Sequence, residues 1–194
     1  MITPAALASV GDGRIAVLIG FEPAWPTARV VGPAFTAQGA PGDNLALHHA
    51  VAQAAPGDVI VLAVGGERGR AHSGGIIATA ARARGVAGLV LDGAIRDRGE
   101  LEQIGLPVFH LGASPLKPAK DGPAALGVPL ELGGVRIEPG DLIAADADGI
   151  VVVPRVHVDD LSTAAEALEA REREILTEIG KGKTTVEIYG YEPL

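Results

Sequence analysis

Residues 85–97 read Gly-Val-Ala-Gly-Leu-Val-Leu-Asp-Gly-Ala-Ile-Arg-Asp, an apolar run that ends on a guanidinium and a carboxylate at a glycine-flanked turn. A near-continuous run of this kind is what a strand covered on both faces looks like. A second one, Asp58-Val-Ile-Val-Leu-Ala-Val64, leads straight into Gly65-Gly66. Between the two, Ser73 to Arg84 carries small residues and Ile77, the composition of a helix packed closely on a sheet, and Gly85 stands where a left-handed C-terminal cap belongs. Strand, glycine-rich loop, helix and strand in this order predict an α/β fold.

The pattern extends both ways. Upstream, Ala28 to Ala37 reads as extended with Gly32-Pro33 as an interruption, and Pro41-Gly42-Asp43 opens a helix on which Leu45, His48, Ala52 and Ala55 recur before Pro56-Gly57 ends it. Downstream come a short helix at Glu100 to Ile104, a strand at Pro107 to His110, and a Pro-, Gly- and Lys-rich excursion from Gly112 to Gly127. Three short strands follow, Val128 to Leu132, Leu142 to Ala145 and Ile150 to Val153, separated by glycine turns. Asp159 to Gly180 is the clearest helix. Its stripe of Leu161, Leu168, Ile175 and Ile179 includes Glu172, a carboxylate that either finds a partner there or reaches past its neighbours to water. The tail from Thr185 to Leu194, with Val186, Ile188, Tyr189 and Tyr191, is apolar enough to be expected to dock on another surface.

With 194 residues and 47% hydrophobic content, the chain suffices for one core, and a single domain over 1–194 is expected. The formal net charge of −8, with no basic run, argues against nucleic acid as a partner. No cysteine is present, which removes disulfides and thiolate chemistry. No apolar stretch approaches the ~18 residues of a membrane span, and no signal sequence follows Met1, so a cytoplasmic location is the expectation.

Arg96 offers a planar fork for a substrate carboxylate, and Asp97 offers a hard oxygen ligand for Mg²⁺ or Mn²⁺. Alone, such a pair is more often a polar surface turn; its position at a strand end, where α/β proteins commonly place ligands, favours the functional reading. The loop Val64 to Ile77 holds glycines whose amides can approach an anion at the start of the next helix, yet it is neither a dinucleotide fingerprint nor a Walker loop. His72 and Ser73 are adjacent and lack a nucleophile elbow, so they do not indicate a hydrolase. His48, His49, His110 and His157 show no metal-ligand spacing, and Asp146 with Asp148 fits a turn better than a calcium loop.

Taken together, Asp43-Asn44, Pro56-Gly57-Asp58-Val59, Ser73-Gly74-Gly75, Asp92-Gly93-Ala94-Ile95-Arg96-Asp97, Leu106-Pro107-Val108-Phe109 and Pro139-Gly140-Asp141 with Ala145 to Ile150 resemble the RraA-like family of 4-hydroxy-4-methyl-2-oxoglutarate aldolases and regulators of ribonuclease activity. The resemblance runs from about Arg29 to the C-terminus. It implies a swivelling β/β/α fold and a homotrimer or a hexamer, with the helix and tail at about 158–194 lying at a subunit interface. It also implies that Arg96 binds a small 2-keto acid, that Asp97 holds Mg²⁺ or Mn²⁺, that the amides of Gly74, Gly75, Ile76 and Ile77 hold the substrate carboxylate, and that Asn44 joins them. Glu172 corresponds to a metal-site glutamate given by a neighbouring subunit.

Two departures stand out. Aldolases of the family often carry an acidic residue where this chain has Gly75, and the segment before Arg29 is shorter than the family's helical N-terminus. The activity implied is a metal-dependent lyase that yields pyruvate by oxaloacetate decarboxylation or by retro-aldol cleavage. Decarboxylation needs no base to start, so with Gly75 it is the expected route. The alternative is a non-catalytic regulator that docks on an endoribonuclease, against which the retained Asp97 argues.

Overall fold

The computed structural model describes residues 2–192. In chain order the elements are α1 (Pro4–Gly11), β1 (Ala16–Leu18), β2 (Glu22–Pro23), β3 (Val30–Gly39), α2 (Leu45–Gln53), β4 (Val59–Ala63), β5 (Ala71–Ser73), α3 (Gly75–Ala83), β6 (Gly88–Ile95), α4 (Arg98–Ile104), β7 (Val108–Ala113), β8 (Ala124–Leu126), β9 (Leu130–Leu132), β10 (Val135–Ile137), β11 (Leu142–Asp146) and β12 (Gly149–Val153). A 3₁₀ turn at Arg155–His157 leads into α5 (Val158–Gly180), and α6 (Thr185–Tyr189) follows. The main sheet has the order β1-β12-β11-β3-β4-β6-β7-β2, with β5 beside β6 and β8 beside β3, and β9 and β10 form a separate hairpin.

Strand β3 joins two kinds of sheet. Its first residues, Val30 to Pro33, pair antiparallel with β11, and Ala34 to Gln38 pair parallel with β4. Gly32-Pro33 marks that change of partner, so the expected interruption is a switch of neighbours within an unbroken strand. Proline has no N–H to give a ladder, which costs least where a ladder ends. Gly32 is needed for space: a Cβ there would strike the Gly57 carbonyl oxygen and lie 3.1 Å from Val59 Cγ2.

The sheet curls, and its two faces build separate cores. On one side Ile60, Leu62, Leu89 and Leu91 pack against Leu47 and Ala50 of α2 and Ile77, Ala78 and Ala81 of α3. The alternate residues Val59, Val61 and Val90, with Phe109, face Leu130, Leu132, Ile137, Ile143, Ile150 and Val152. Every residue of β4 and β6 is therefore buried, the physical reason that both read as continuous apolar runs. A third cluster sets Ala6 and Leu7 of α1 and Leu161 and Ala165 of α5 against Ala144, Val151 and Val153.

Helix α1 is the element that occupies the short N-terminal segment. Thr3 caps it by accepting the Ala6 N–H at 3.2 Å, and Pro4 takes the first turn, where a missing N–H costs nothing. The Thr3 N–H and hydroxyl both donate to Glu169 Oε1, at 2.9 and 3.0 Å, tying α1 to α5. Ser73 belongs to β5 and not to the helix, since its carbonyl accepts the Arg96 N–H at 2.9 Å. The Gly112 to Gly127 excursion is ordered, and its end, β8, pairs with β3.

Past Leu168, α5 runs beyond the body, so that Glu172, Arg173 and Leu176 are exposed. Val186, Tyr189 and Tyr191 are exposed as well, and Pro193 and Leu194 of the expected docking tail lie outside the described residues. Among the described residues no helix is long and apolar enough to cross a membrane.

Gly32→Ala should lower the midpoint of urea unfolding, at a cost of about 1–3 kcal/mol from overpacking. Gly99→Ala, on α4 with nothing within 4 Å of the added Cβ, should leave the midpoint unchanged or raise it slightly. Equal midpoints for the two variants would contradict the close β3 to Gly57 approach.

Candidate active site

Strand β6 delivers Arg96 and Asp97 to the start of α3. Asp97 has φ 59°, a left-handed conformation that Asp tolerates better than most residues. It stands at the cap position of α4, yet its carboxylate makes no cap bond there and turns instead toward α3. The Gly75 N–H donates to Asp97 Oδ2 at 3.2 Å, and Arg96 Nε lies 3.4 Å from the same oxygen. Gly74 makes this possible. A Cβ on Gly74 would stand 2.5 Å from Asp97 Oδ2 and 2.9 Å from Arg96 Cγ. Its backbone is extended, so close approach and not conformation is what demands glycine.

Beside this pair lies a cleft of about 210 Å³, walled by Asn44, Ser73, Gly74, Ile77, Arg96 and Lys120 among others. Asn44 Nδ2 donates to the His72 carbonyl at 3.0 Å, which fixes the amide plane. Asn44 Oδ1, Ser73 Oγ and His48 Nε2 are buried and have no protein partner. Buried polar atoms in native proteins are nearly always bonded to protein, water or a ligand, so these orphans, joined by both ring nitrogens of His72, mark the cleft as a polar binding surface. The first-turn amides of α3 add donors: Ala78 N–H is the first to bond within the helix, to the Gly74 carbonyl, which leaves those of Ile76 and Ile77 available to an anion. Of the amides expected to hold a substrate, the Gly75 amide is engaged by Asp97.

The lining contributed by the 112–127 excursion is basic, and its residues are the ones that sequence reasoning passed over. Lys117 and Lys120 line the cleft from the ordered excursion. That segment is clipped over the start of α2. Asp43 accepts the N–H groups of Leu45, Asp121 and Gly122 at 2.7, 2.8 and 2.8 Å, the Asn44 N–H bonds the Ala119 carbonyl at 3.1 Å, and Arg70 Nη1 donates to the Lys117 carbonyl at 2.7 Å. Burial pushes the Asp43 carboxyl up, but these bonds outweigh it and hold it below the usual carboxylate range. His48 is held neutral, first by burial and then by the charges of Lys120 and His49. The two lysines give only a compositional signal in sequence, because nothing there says that their loop folds back onto α2.

Asp97 lines a neighbouring depression that shares Arg96 with the cleft, and among the described residues no group of three or more His, Cys, Asp or Glu is arranged to hold a metal. A single carboxylate does fit Mg²⁺ or Mn²⁺, which keeps several waters and takes one or two protein oxygens. Within one chain Glu172 stays away from Asp97, because α5 packs on α1. His72 and His110 are fully buried, and His110, depressed to about 4 chiefly by burial, accepts the Gly112 N–H at Nδ1.

A curled α/β sheet thus carries an Arg-Asp pair against a helix N-terminus, beside a cleft that two lysines also line. The chain belongs to the RraA-like family, whose model, described as Aldolase/RraA, matches residues 6–152. A Halalkalibacterium halodurans protein that carries, with a provisional qualifier, the name 4-hydroxy-4-methyl-2-oxoglutarate aldolase is 40% identical over 168 residues, 84% of this chain and 80% of that one. The 4-hydroxy-4-methyl-2-oxoglutarate aldolase of Thermus thermophilus is 36% identical over 112 residues, 58% of this chain and 68% of its own length. Among solved structures, the RNA-processing inhibitor RraA of Thermus superposes with a TM-score of 0.71 at 30% identity, covering 76% of this chain and 92% of that one.

Asp43→Asn should destabilise the protein at about pH 6 and progressively less toward about pH 2. The folded carboxyl is depressed, so its stabilisation is present above the ordinary value of about 3.9 and is lost as pH falls through the lower folded value. Equilibrium unfolding of both proteins across that range checks the sign; a constant difference at every pH would contradict the role of the three N–H bonds.

Proposed function

We propose that this protein is a divalent-metal-dependent lyase acting on small 2-keto dicarboxylic acids and yielding pyruvate. The observation that carries the reading is the gathering of Arg96, Lys117, Lys120 and the free amides of α3 around one cleft, with Asp97 in the adjoining depression that shares Arg96. The aldolase names of the relatives support the reaction class.

In this reading Arg96 and the Ile76 and Ile77 amides bind the carboxylate next to the keto group, Asn44 Oδ1 and Ser73 Oγ bind polar atoms along the chain, and Lys117 and Lys120 take the distal carboxylate. Fixing both ends presents the scissile C–C bond in one orientation and removes the entropy cost of finding it. Asp97 would hold Mg²⁺ or Mn²⁺, with Glu172 of a neighbouring copy in a homotrimer or hexamer as the second oxygen ligand. The bound ion supplies Lewis acidity toward the 2-keto oxygen. Arg96, shared between the carboxylate and Asp97, keeps the two binding events in register. Bond cleavage leaves a pyruvate enolate, after loss of CO₂ from oxaloacetate or of a second pyruvate from 4-hydroxy-4-methyl-2-oxoglutarate.

A second reading, a non-catalytic regulator of an endoribonuclease, is favoured by the structural neighbour solved as an RNA-processing inhibitor. An anion cleft of this kind serves no purpose in that role. The experiment is pyruvate release from both substrates with and without metal. Arg96→Ala and Asp97→Asn should each lose at least about 10²-fold in kcat/KM with thermal unfolding unchanged, since both side chains are about one-third exposed and neither fills the core. Chelation should abolish turnover, and Mg²⁺ or Mn²⁺ should restore it. Full turnover by metal-free protein or by Asp97→Asn would overturn the reading, and ribonuclease inhibition without pyruvate release would establish the second one.

A further inference from the structure

Retro-aldol cleavage needs a group that removes the substrate hydroxyl proton, and the carboxylates around the cleft are mostly committed elsewhere. Asp43 is buried and bonded by three backbone N–H groups. Asp92 is buried and accepts the N–H groups of Val64 and Gly66. Asp97 is bound to the Gly75 amide and paired with Arg96. His48 lies beside Lys120, at the end of the cleft assigned to the distal carboxylate.

Glu100 is different. It lies in the first turn of α4, one turn beyond Asp97, and its side chain folds back against the start of α3. A Cβ built on Gly75 would collide with Glu100 Oε2, with Cδ 3.5 Å and Cβ 3.9 Å away. The carboxylate of Glu100 therefore occupies the place where a side chain on residue 75 would begin, between Gly74 and Ile76, which both line the cleft. Its side chain makes no hydrogen bond or ion pair with the described residues. It is exposed and free to move toward a ligand.

Building on the lyase reading, we infer that Glu100 is the acid–base residue of this site, a carboxylate delivered from α4 across the bare backbone of Gly75. In cleavage of 4-hydroxy-4-methyl-2-oxoglutarate, Glu100 takes the C4 hydroxyl proton as the C3–C4 bond breaks. The hydroxyl oxygen becomes the keto oxygen of one pyruvate, and the bonding pair becomes the C2–C3 enolate of the other. The same proton then returns from Glu100 to C3, giving two pyruvates with no net change in the enzyme. In oxaloacetate decarboxylation the carboxylate departs as CO₂ without a base, and Glu100 acts only afterwards, relaying a solvent proton to C3.

Four variants test this in the metal-loaded enzyme. Glu100→Gln should slow aldol cleavage by about 10²–10⁴-fold and oxaloacetate decarboxylation far less, so that the ratio of the two falls. It should also slow exchange of the pyruvate C3 protons in D₂O, a readout that a merely structural role at the α3 terminus would leave unmoved. Gly75→Asp alone should be poor, because its side chain meets the Glu100 carboxylate. In the Gly75→Asp, Glu100→Ala double variant the carboxylate starts from the adjacent backbone position, and the cleavage ratio should recover relative to Glu100→Ala. Glu100→Gln that keeps both the ratio and the proton exchange of the wild type would overturn the role of Glu100 alone. Wild-type protein that forms no pyruvate from either substrate would overturn the lyase reading and this inference with it.

Discussion

The contact on which the site depends is that of the bare Gly74 backbone with the Arg96-Asp97 turn. With no Cβ in the way, Asp97 Oδ2 reaches the Gly75 amide and Arg96 lies across Gly74, so a strand end and a helix start become one surface. The left-handed Asp97 turns the chain sharply after β6 and lets α4 begin at once. Arg96 and Asp97 thereby meet Gly74, while the same turn brings Glu100 back to Gly75. Adjacent glycines thus receive side chains from a single segment.

That surface is held by the switch of partners along β3. Because β3 pairs antiparallel with β11 at one end and parallel with β4 at the other, the sheet curls and buries both faces of β4 and β6. Strands buried on both faces make stiff supports, and the loops at their ends inherit that stiffness. The Lys117 to Lys120 wall is supported differently, by the Asp43 carboxylate and by backbone bonds to the start of α2. The two walls of the cleft therefore answer to different perturbations, one to packing and the other to protonation.

Much of this was legible in the sequence where a local pattern and a buried environment coincide. The runs Asp58 to Val64 and Gly88 to Ile95, the α2 and α5 periodicities and the Ser73-Gly74-Gly75 and Arg96-Asp97 motifs are of that kind. Short strands were not legible: Ala71–Ser73 and Val135–Ile137 are three residues each, and their pairing is set by distant partners. Lys117 and Lys120 escaped notice because loop composition does not reveal what a loop folds onto. Glu100 stood only as the start of a short expected helix, since only the three-dimensional path of α4 carries it to Gly75. The stripe that includes Glu172 was visible, and it is buried at Leu161 and exposed at Glu172, where α5 runs past the body.

The most direct measurement is the pyruvate-forming activity of Gly74→Ala at saturating metal, alongside its thermal unfolding midpoint. The added methyl group points at Asp97 Oδ2 and Arg96 Cγ and at no core atom among its nearest neighbours. The account predicts a folded protein whose activity falls by about 10²-fold, the scale associated with a misplacement of roughly 1 Å at a reacting centre. A folded Gly74→Ala enzyme with wild-type turnover would contradict the claim that this bare backbone sets the site.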